Sequence, residues 1–315
     1  MQPMASFQLQ SSQGLPAPQV LGEEHHEQLL DFLSADVAAN LFQLCWLENN
    51  GVRSQGRPEL YHFAGIVDPT GRLLAASLVI ADRLLLVDAL DDEHAASLAR
   101  WYRRRELVLE HIVSAHAAVR PFWCAYRGTR DDLEVIARLN RDQELYVLER
   151  DRWYDHLYAD GRPRYERTGV ERAHIEQLEP IFLASARMHL EETLEDPLQA
   201  HPEAFRRHVR HRILAERSFG WFDEHRRLIF KADLSASSSF GTQISGVYTP
   251  PRFRGQGIAT RALFDICEDL FESGLPRITL YVNAENEAAR RVYRKVGFQF
   301  HADYQTVFVE SFPQP

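Results

Sequence analysis

With 315 residues, 45% of them hydrophobic, the chain is long enough for two domains of ordinary size and apolar enough to bury a full core. Its net charge of −9 argues against general nucleic-acid binding, which needs a basic face, and suits a cationic substrate or partner. Three cysteines without close spacing (Cys45, Cys124, Cys267), no apolar run near the ~20 residues of a membrane span, and an N-terminus unlike a signal peptide point away from a disulfide framework, a zinc pattern and a membrane, and predict a cytoplasmic protein.

Residues 1–22, rich in Gln, Ser and Pro, read as a loose tail. Glu27–Leu33 carries a short helical pattern. Tyr61–Ile80 predicts strand, turn, strand, with Asp68-Pro69-Thr70-Gly71 as the turn. Arg83–Val87 is a further strand. A helix follows from Asp91 to Arg104, with Ala95, Leu98, Ala99 and Tyr102 in a stripe. Glu106–Val113 fits strand or helix. Thr129–Asn140 predicts a helix capped by Thr129 or Asp131, and Glu144–Arg150 a strand. The turn-rich stretch Asp151–Arg167 holds the expected domain boundary, dividing a first domain (23–157) from a second (158–315). The second domain is expected to begin with a strand at Tyr165–Thr168 and a helix at His174–Arg187. A polar loop, Met188–Pro197, leads to a helix at Pro202–Glu216. Next come a hairpin over Phe219–Leu234, a polar Ser-rich link (Ser235–Thr242) and the strand Gln243–Tyr248. The predicted end is a helix to about Phe271, the strand Ile278–Val282, the helix Glu287–Val296 closed by Gly297, and a strand at Thr306–Val309. Both halves are mixed α/β, compatible with a duplicated fold.

The stretch Thr249–Leu263 reads TPPRFRGQGIATRAL. Gly255 and Gly257 allow close backbone approach just before a helix whose apolar face includes Ile258, Ala262, Leu263, Ile266 and Leu270. Free N–H groups at a helix start, with the positive end of its dipole, make an anion site suited to a phosphate. Arg252 and Arg254 add charge at its mouth. A P-loop needs Lys-Ser/Thr after its last glycine, where Ile258 and Ala259 stand. A dinucleotide fingerprint needs a third small residue and a later acid, where Thr260 and Arg277 stand.

Downstream, Leu280–Phe298 offers a strand end, Asn286 as helix cap, small residues at Ala288 and Ala289, Tyr293 on their face, and Gly297 as helix stop. Together with Gly246–Leu263 this resembles the GNAT superfamily of acyl-CoA-dependent N-acyltransferases. The resemblance rests on Arg252, Gly255, Gly257, Asn286, Ala289, Tyr293, Gly297 and Phe298. It implies tandem GNAT-like domains, each a central mixed sheet flanked by helices, with splayed strands in the second. It implies acetyl-CoA as co-substrate, its arm beside Val247, Tyr248 and Thr249. Its pyrophosphate would lie on backbone N–H groups from Arg254 through Gln256, Gly257, Ile258 and Ala259 to Thr260, with Asn286 nearby. Tyr293 is the implied proton donor to the leaving thiolate, and Glu191 or Glu192 in the acceptor-side loop the implied ammonium binder or base. His189 is a weaker base candidate, and no metal is expected. The first domain faintly resembles a decayed copy: where its phosphate loop belongs stand Asp88, Asp91, Asp92 and Glu93. The implied function is N-acetyl transfer to a primary amine, on a small molecule or a peptide. The rival readings are a non-catalytic acyl-CoA-binding regulator and a structural protein without ligand. A homodimer is compatible with the sequence.

Overall fold

The computed structural model describes residues 15–57, 59–130, 133–158 and 166–313. In the first half the elements are β1 (Gln19–Val20), α1 (His26–Ser34), α2 (Leu41–Asn50), β2 (Tyr61–Val67), β3 (Leu73–Ile80), β4 (Leu84–Ala89), α3 (Asp92–Arg104), β5 (His111–Ala115), α4 (His116–Tyr126), β6 (Gly128–Arg130), β7 (Leu133–Glu149) and α5 (Arg150–Tyr158). The second half has β8 (Val170–Arg172), α6 (Leu178–Thr193), α7 (Pro197–Ala200), α8 (Pro202–Leu214), β9 (Ser218–Phe222), β10 (Leu228–Ser238), β11 (Gly241–Tyr248), α9 (Ile258–Glu272), β12 (Arg277–Asn283), α10 (Glu287–Val296) and β13 (Gln299–Pro313).

All strands join one mixed sheet in the order β1-β2-β3-β4-β5-β13-β7-β12-β11-β10-β9-β8, with β6 beside β7. The two halves repeat one plan: an antiparallel run, a helix, a parallel strand, a second helix and a long final strand. Each final strand lies between the halves, because β7 pairs with β12 and β13 pairs with β5. The parallel pairs are short in both halves. β11 meets β12 only at Thr242↔Ile278 and Gln243↔Thr279, and β4 meets β5 only at Leu84↔His111 and Leu85↔Ile112. The strands then part, so the splay expected of the second half is present in both.

Alternation along the strands feeds separate core layers. Tyr146 and Leu280 pack with α9 and α10, whereas their neighbours Leu145 and Tyr281 face the layer of α1 and α2. A third layer joins α3 and α4 to Val307 and Val309. A smaller cluster sits under α6 and α8, with Leu228 and Tyr248.

Several segments depart from expectation. Thr129–Asn140 is β6 and the start of β7, not a helix; Asp131 lies outside the described residues. Val135 is buried between exposed Glu134 and Ile136, a period of two. The first strand of the second half is Val170–Arg172 rather than Tyr165–Thr168, and Tyr165 is outside the described residues. The Ser-rich link is strand: β10 runs to Ser238 and turns directly into β11. Its polar groups are met by α2, through Asn49 Nδ2 to Ser237 O at 2.9 Å and Ser239 Oγ to Glu48 at 2.6 Å. Upstream of Glu23, β1 pairs with β2 and Leu21 is buried. No described helix is long and apolar enough to cross a membrane.

Candidate active site

The parted ends of β11 and β12 define the site. Gly246 adopts φ +58° in an irregular stretch of β11, where the register against β10 shifts between Lys231 and Asp233. A Cβ at Gly246 would lie 2.6 Å from Asp233 Oδ2, so only glycine fits there. Asp233 is buried with Lys231: Lys231 Nζ is 2.6 Å and Arg212 Nη1 2.7 Å from Oδ2, and Ser218 Oγ donates to Oδ1 at 2.7 Å. Burial pushes the Lys231 ammonium down. Asp233 sits below the usual carboxylate range, because its cationic neighbours outweigh burial. These residues were missed in the sequence reading; the available signal was a Lys and an Asp two apart within the apolar run of β10.

Beyond Val247, Tyr248 and Thr249 the chain makes a one-turn 3-10 helix, Pro251–Phe253, and reaches the two glycines. Gly255 has φ +77° and Gly257 φ +73°, and a Cβ built on either meets nothing within 4 Å. The glycines therefore serve a left-handed backbone facing open space. Gly257 begins α9 with no side-chain cap on the helix N-terminus. Ile258 and Thr260 are buried and Ala259 half-buried, so the first turn is anchored from behind while its N–H groups face the opening. Gln256 Nε2 braces the loop on Arg252 O at 3.3 Å, and the Arg252 guanidinium lies over Phe253. Arg254 Nε donates to Thr249 O at 2.9 Å. The cradle from Gly255 to Thr260 fits a pyrophosphate, with open space and a helix start without a side-chain cap, whereas the Arg254 N–H expected among the donors is given to Pro251 O at 3.2 Å.

Tyr293 lies on α10 at the other side of the gap. Asn286 Oδ1 accepts the Ala289 N–H at 3.1 Å to start this helix, and Gly297 at φ +114° ends it. Arg290 ties α10 to Glu144 of β7 at 2.6 Å, and Arg294 Nη2 donates to Tyr146 Oη at 3.2 Å. The Tyr293 ring is buried, and none of the described residues hydrogen-bonds its hydroxyl. Burial, and then Glu192, push that hydroxyl well up.

Residues 187–298 match the sequence model of the acetyltransferase (GNAT) family. They form a GNAT domain. No curated protein matches the chain. Among solved structures it is similar to a GCN5-related N-acetyltransferase from Sphaerobacter thermophilus, at 15% identity, over 96% of this chain and 98% of that one, with a TM-score of 0.57. A tandem GNAT protein from the clavulanic acid biosynthesis pathway aligns over 95% and 99%, at 15% identity and TM-score 0.53. An acetyltransferase from Colwellia psychrerythraea gives 14%, 92% and 99%, and 0.51. At these identities the likeness establishes the fold, a tandem one.

The structure corrects the loop expected at Met188–Pro197. Met188–Thr193 continues α6, which ends at Leu194 in the left-handed region, φ +62°. Glu191 and Glu192 thus sit in the last helical turn and diverge. Glu191 reaches the loop of Gly255 and Gly257 and pairs with Arg254 Nη2 at 2.9 Å. Glu192 stays accessible to water, yet surrounding protein desolvates its carboxyl and raises its pKa. Lys231 and Arg141 pull it back, and Glu191 adds to the rise. Its charge also acts on the Tyr281 and Tyr293 hydroxyls. His189 packs on Phe205 at 5.6 Å, and burial lowers its pKa. His208 bonds Arg212 at 2.6 Å and is pushed down to about 4 by burial. Among the described residues no group of three or more His, Cys, Asp or Glu is placed to hold a metal. Cys267 is core, its thiol pushed up by burial.

The first half repeats the gap but fills it. Ser114 Oγ accepts the Val87 N–H at 2.9 Å, and Asp88 accepts from Asn40 Nδ2 at 2.8 Å. Asp91 caps α3 through the His94 N–H at 2.9 Å. The start of α3 thus has the side-chain cap that α9 lacks.

Proposed function

We propose that the protein moves an acetyl or other short acyl group from acetyl-CoA to a primary amine, by direct attack in a ternary complex. The observation that carries this is the uncapped start of α9 behind two left-handed glycines, beside parted strands with Glu192 and Tyr293 at the gap. Acetyl-CoA supplies an activated thioester carbonyl. Backbone N–H groups from Gly255 to Thr260 hold its pyrophosphate, with the Arg254 N–H left out because it is given to Pro251 O, and an N–H near Val247 or Tyr248 polarises the carbonyl.

Glu192 attracts the acceptor ammonium and takes its proton, directly or through one water. A carboxylate with a raised pKa is the better base for this. Nitrogen bonds the carbonyl carbon, the carbon–sulfur bond breaks, and Tyr293 Oη gives its proton to the sulfur and regains one from solvent. Glu191, engaged with Arg254, orders the cofactor loop. The test is release of free thiol from acetyl-CoA with a panel of amines. Acetyl-CoA binding in calorimetry without thiol release for any amine would favour a non-catalytic acyl-CoA-binding regulator.

A further inference from the structure

Glu192 feels a cation from the first half, Arg141 of β7. Pairing of β7 with β12 stops at Gln143↔Asn283, and the Ala284 N–H donates to Asp142 O at 3.0 Å. Residues of β7 before that point run along the C-terminal end of α6. Arg138 sits in a bulge, because Phe308 faces Leu139 whereas Val309 faces Ala137. Its guanidinium donates to Thr193 O at 2.9 Å and pairs with Glu195 at 3.1 Å. The first half is thereby pinned to the turn that carries Glu192.

Arg141 lies three residues further on. It shares its face of β7 with Gln143 and Leu145, by alternation. It is half-buried, and among the described residues none hydrogen-bonds or ion-pairs with its guanidinium. The other cation acting on Glu192, Lys231, is committed to Asp233 at 2.6 Å. A half-buried guanidinium without a close partner is a recognition element in search of an anion. Its planar fork suits a carboxylate or phosphate bidentately.

We propose that the acceptor is an amine that also carries an anionic group, with Arg141 receiving the anion while Glu192 receives the ammonium. This rests on Glu192 as the acceptor-side carboxylate. The two charges are opposite and come from different halves, so the pair reads the acceptor's length as well as its charge. It also gives the first half a role in the acceptor site without any cofactor of its own. A neutral-tailed amine would desolvate Arg141 without compensation and bind more weakly.

The test uses paired acceptors and thiol release by the full chain: glycine against glycinamide, β-alanine against its amide, and phosphoethanolamine against ethanolamine. The anionic member of a pair should show kcat/KM at least about tenfold higher, the size expected when a charged hydrogen bond is lost. The pairs distinguish a carboxylate from a phosphate. Arg141→Gln should erase the preference by raising the KM of the anionic acceptor to that of its neutral partner, leaving the acetyl-CoA KM near parental, and Arg141→Lys should restore part of it. Equal rates within every pair, or an unchanged preference in Arg141→Gln, would overturn the assignment while acyl transfer stands. If acetyl-CoA binds but no amine releases thiol, the transferase reading fails. Titration of the same amines into the CoA-loaded protein then decides on Arg141: binding of the anionic members that is lost in Arg141→Gln supports it, and no such binding overturns it.

Discussion

Burial keeps Tyr293 protonated well above neutral pH, so its hydroxyl is fit to give a proton rather than to hold an anion. Tyr293→Phe keeps the ring and its packing against Tyr146 and Phe298. It should lower kcat by about 10²–10⁴, as loss of a positioned acid does, with acetyl-CoA affinity unchanged in calorimetry. Glu192 shifts in the same direction for a different reason: desolvation disfavours its carboxylate. Its base form is lost as pH falls through a raised pKa. The kcat/KM for one amine should therefore drop on the acid side above the ordinary carboxylate range. Glu192→Gln should remove that limb of the profile and lower the plateau by about 10² or more. An acid limb that persists unchanged in the variant would assign it to another group.

At the scale of elements, α3 and α9 are equivalent helices with opposite starts. Asp91 satisfies the first turn of α3, whereas Gly257 leaves that of α9 open. Asp91→Ala should reduce stability to urea by about 0.5–2 kcal/mol, the worth of a cap, without altering acetyl-CoA binding. Gly257→Val puts a branched side chain at φ +73° and into the open cradle. It should weaken acetyl-CoA binding by more than about tenfold in calorimetry, or about 1.4 kcal/mol. Elements with local signals were legible: α10 runs from its Asn286 cap to Gly297 as its residues imply. The first part of β7 was not, because Leu133, Ile136 and Ala137 fit a helical spacing while Leu133, Val135 and Ala137 fit a strand; its end, Glu144–Glu149, is strand as expected. Pairing with β13 from Leu133 to Val147 decides between them. The turn carrying Glu191 and Glu192 read as loop, because its residues are polar; helix continues through it since Ile181, Phe182, Ala184 and Ala186 anchor the preceding turns.

For the whole molecule, the exchange of final strands makes the halves interdependent. A fragment of residues 158–315 lacks β7 and exposes the edge of β12. Alone it should fail to unfold cooperatively as a monomer, whereas co-expressed 1–157 and 158–315 should co-purify; chromatography and thermal melts check both. Because the first gap is filled by Ser114, Asp88 and Asn40, titration should end at one acetyl-CoA per chain.

The residues themselves determined the left-handed glycine loop before α9, the helix starts and stops around it, and the acidic start of α3 in the first half. All of these follow from backbone conformation and nearest neighbours: a left-handed glycine or a capping side chain acts within a few residues. Tertiary structure alone decided the pairing of Glu191 with Arg254 and the surroundings of Glu192, the buried Lys231–Asp233 pair under the bulge, and the charge of Arg141 acting on Glu192. Each depends on strands far apart in sequence becoming neighbours in one sheet. An ionic side chain leaves no mark in the sequence of which distant charge it will meet.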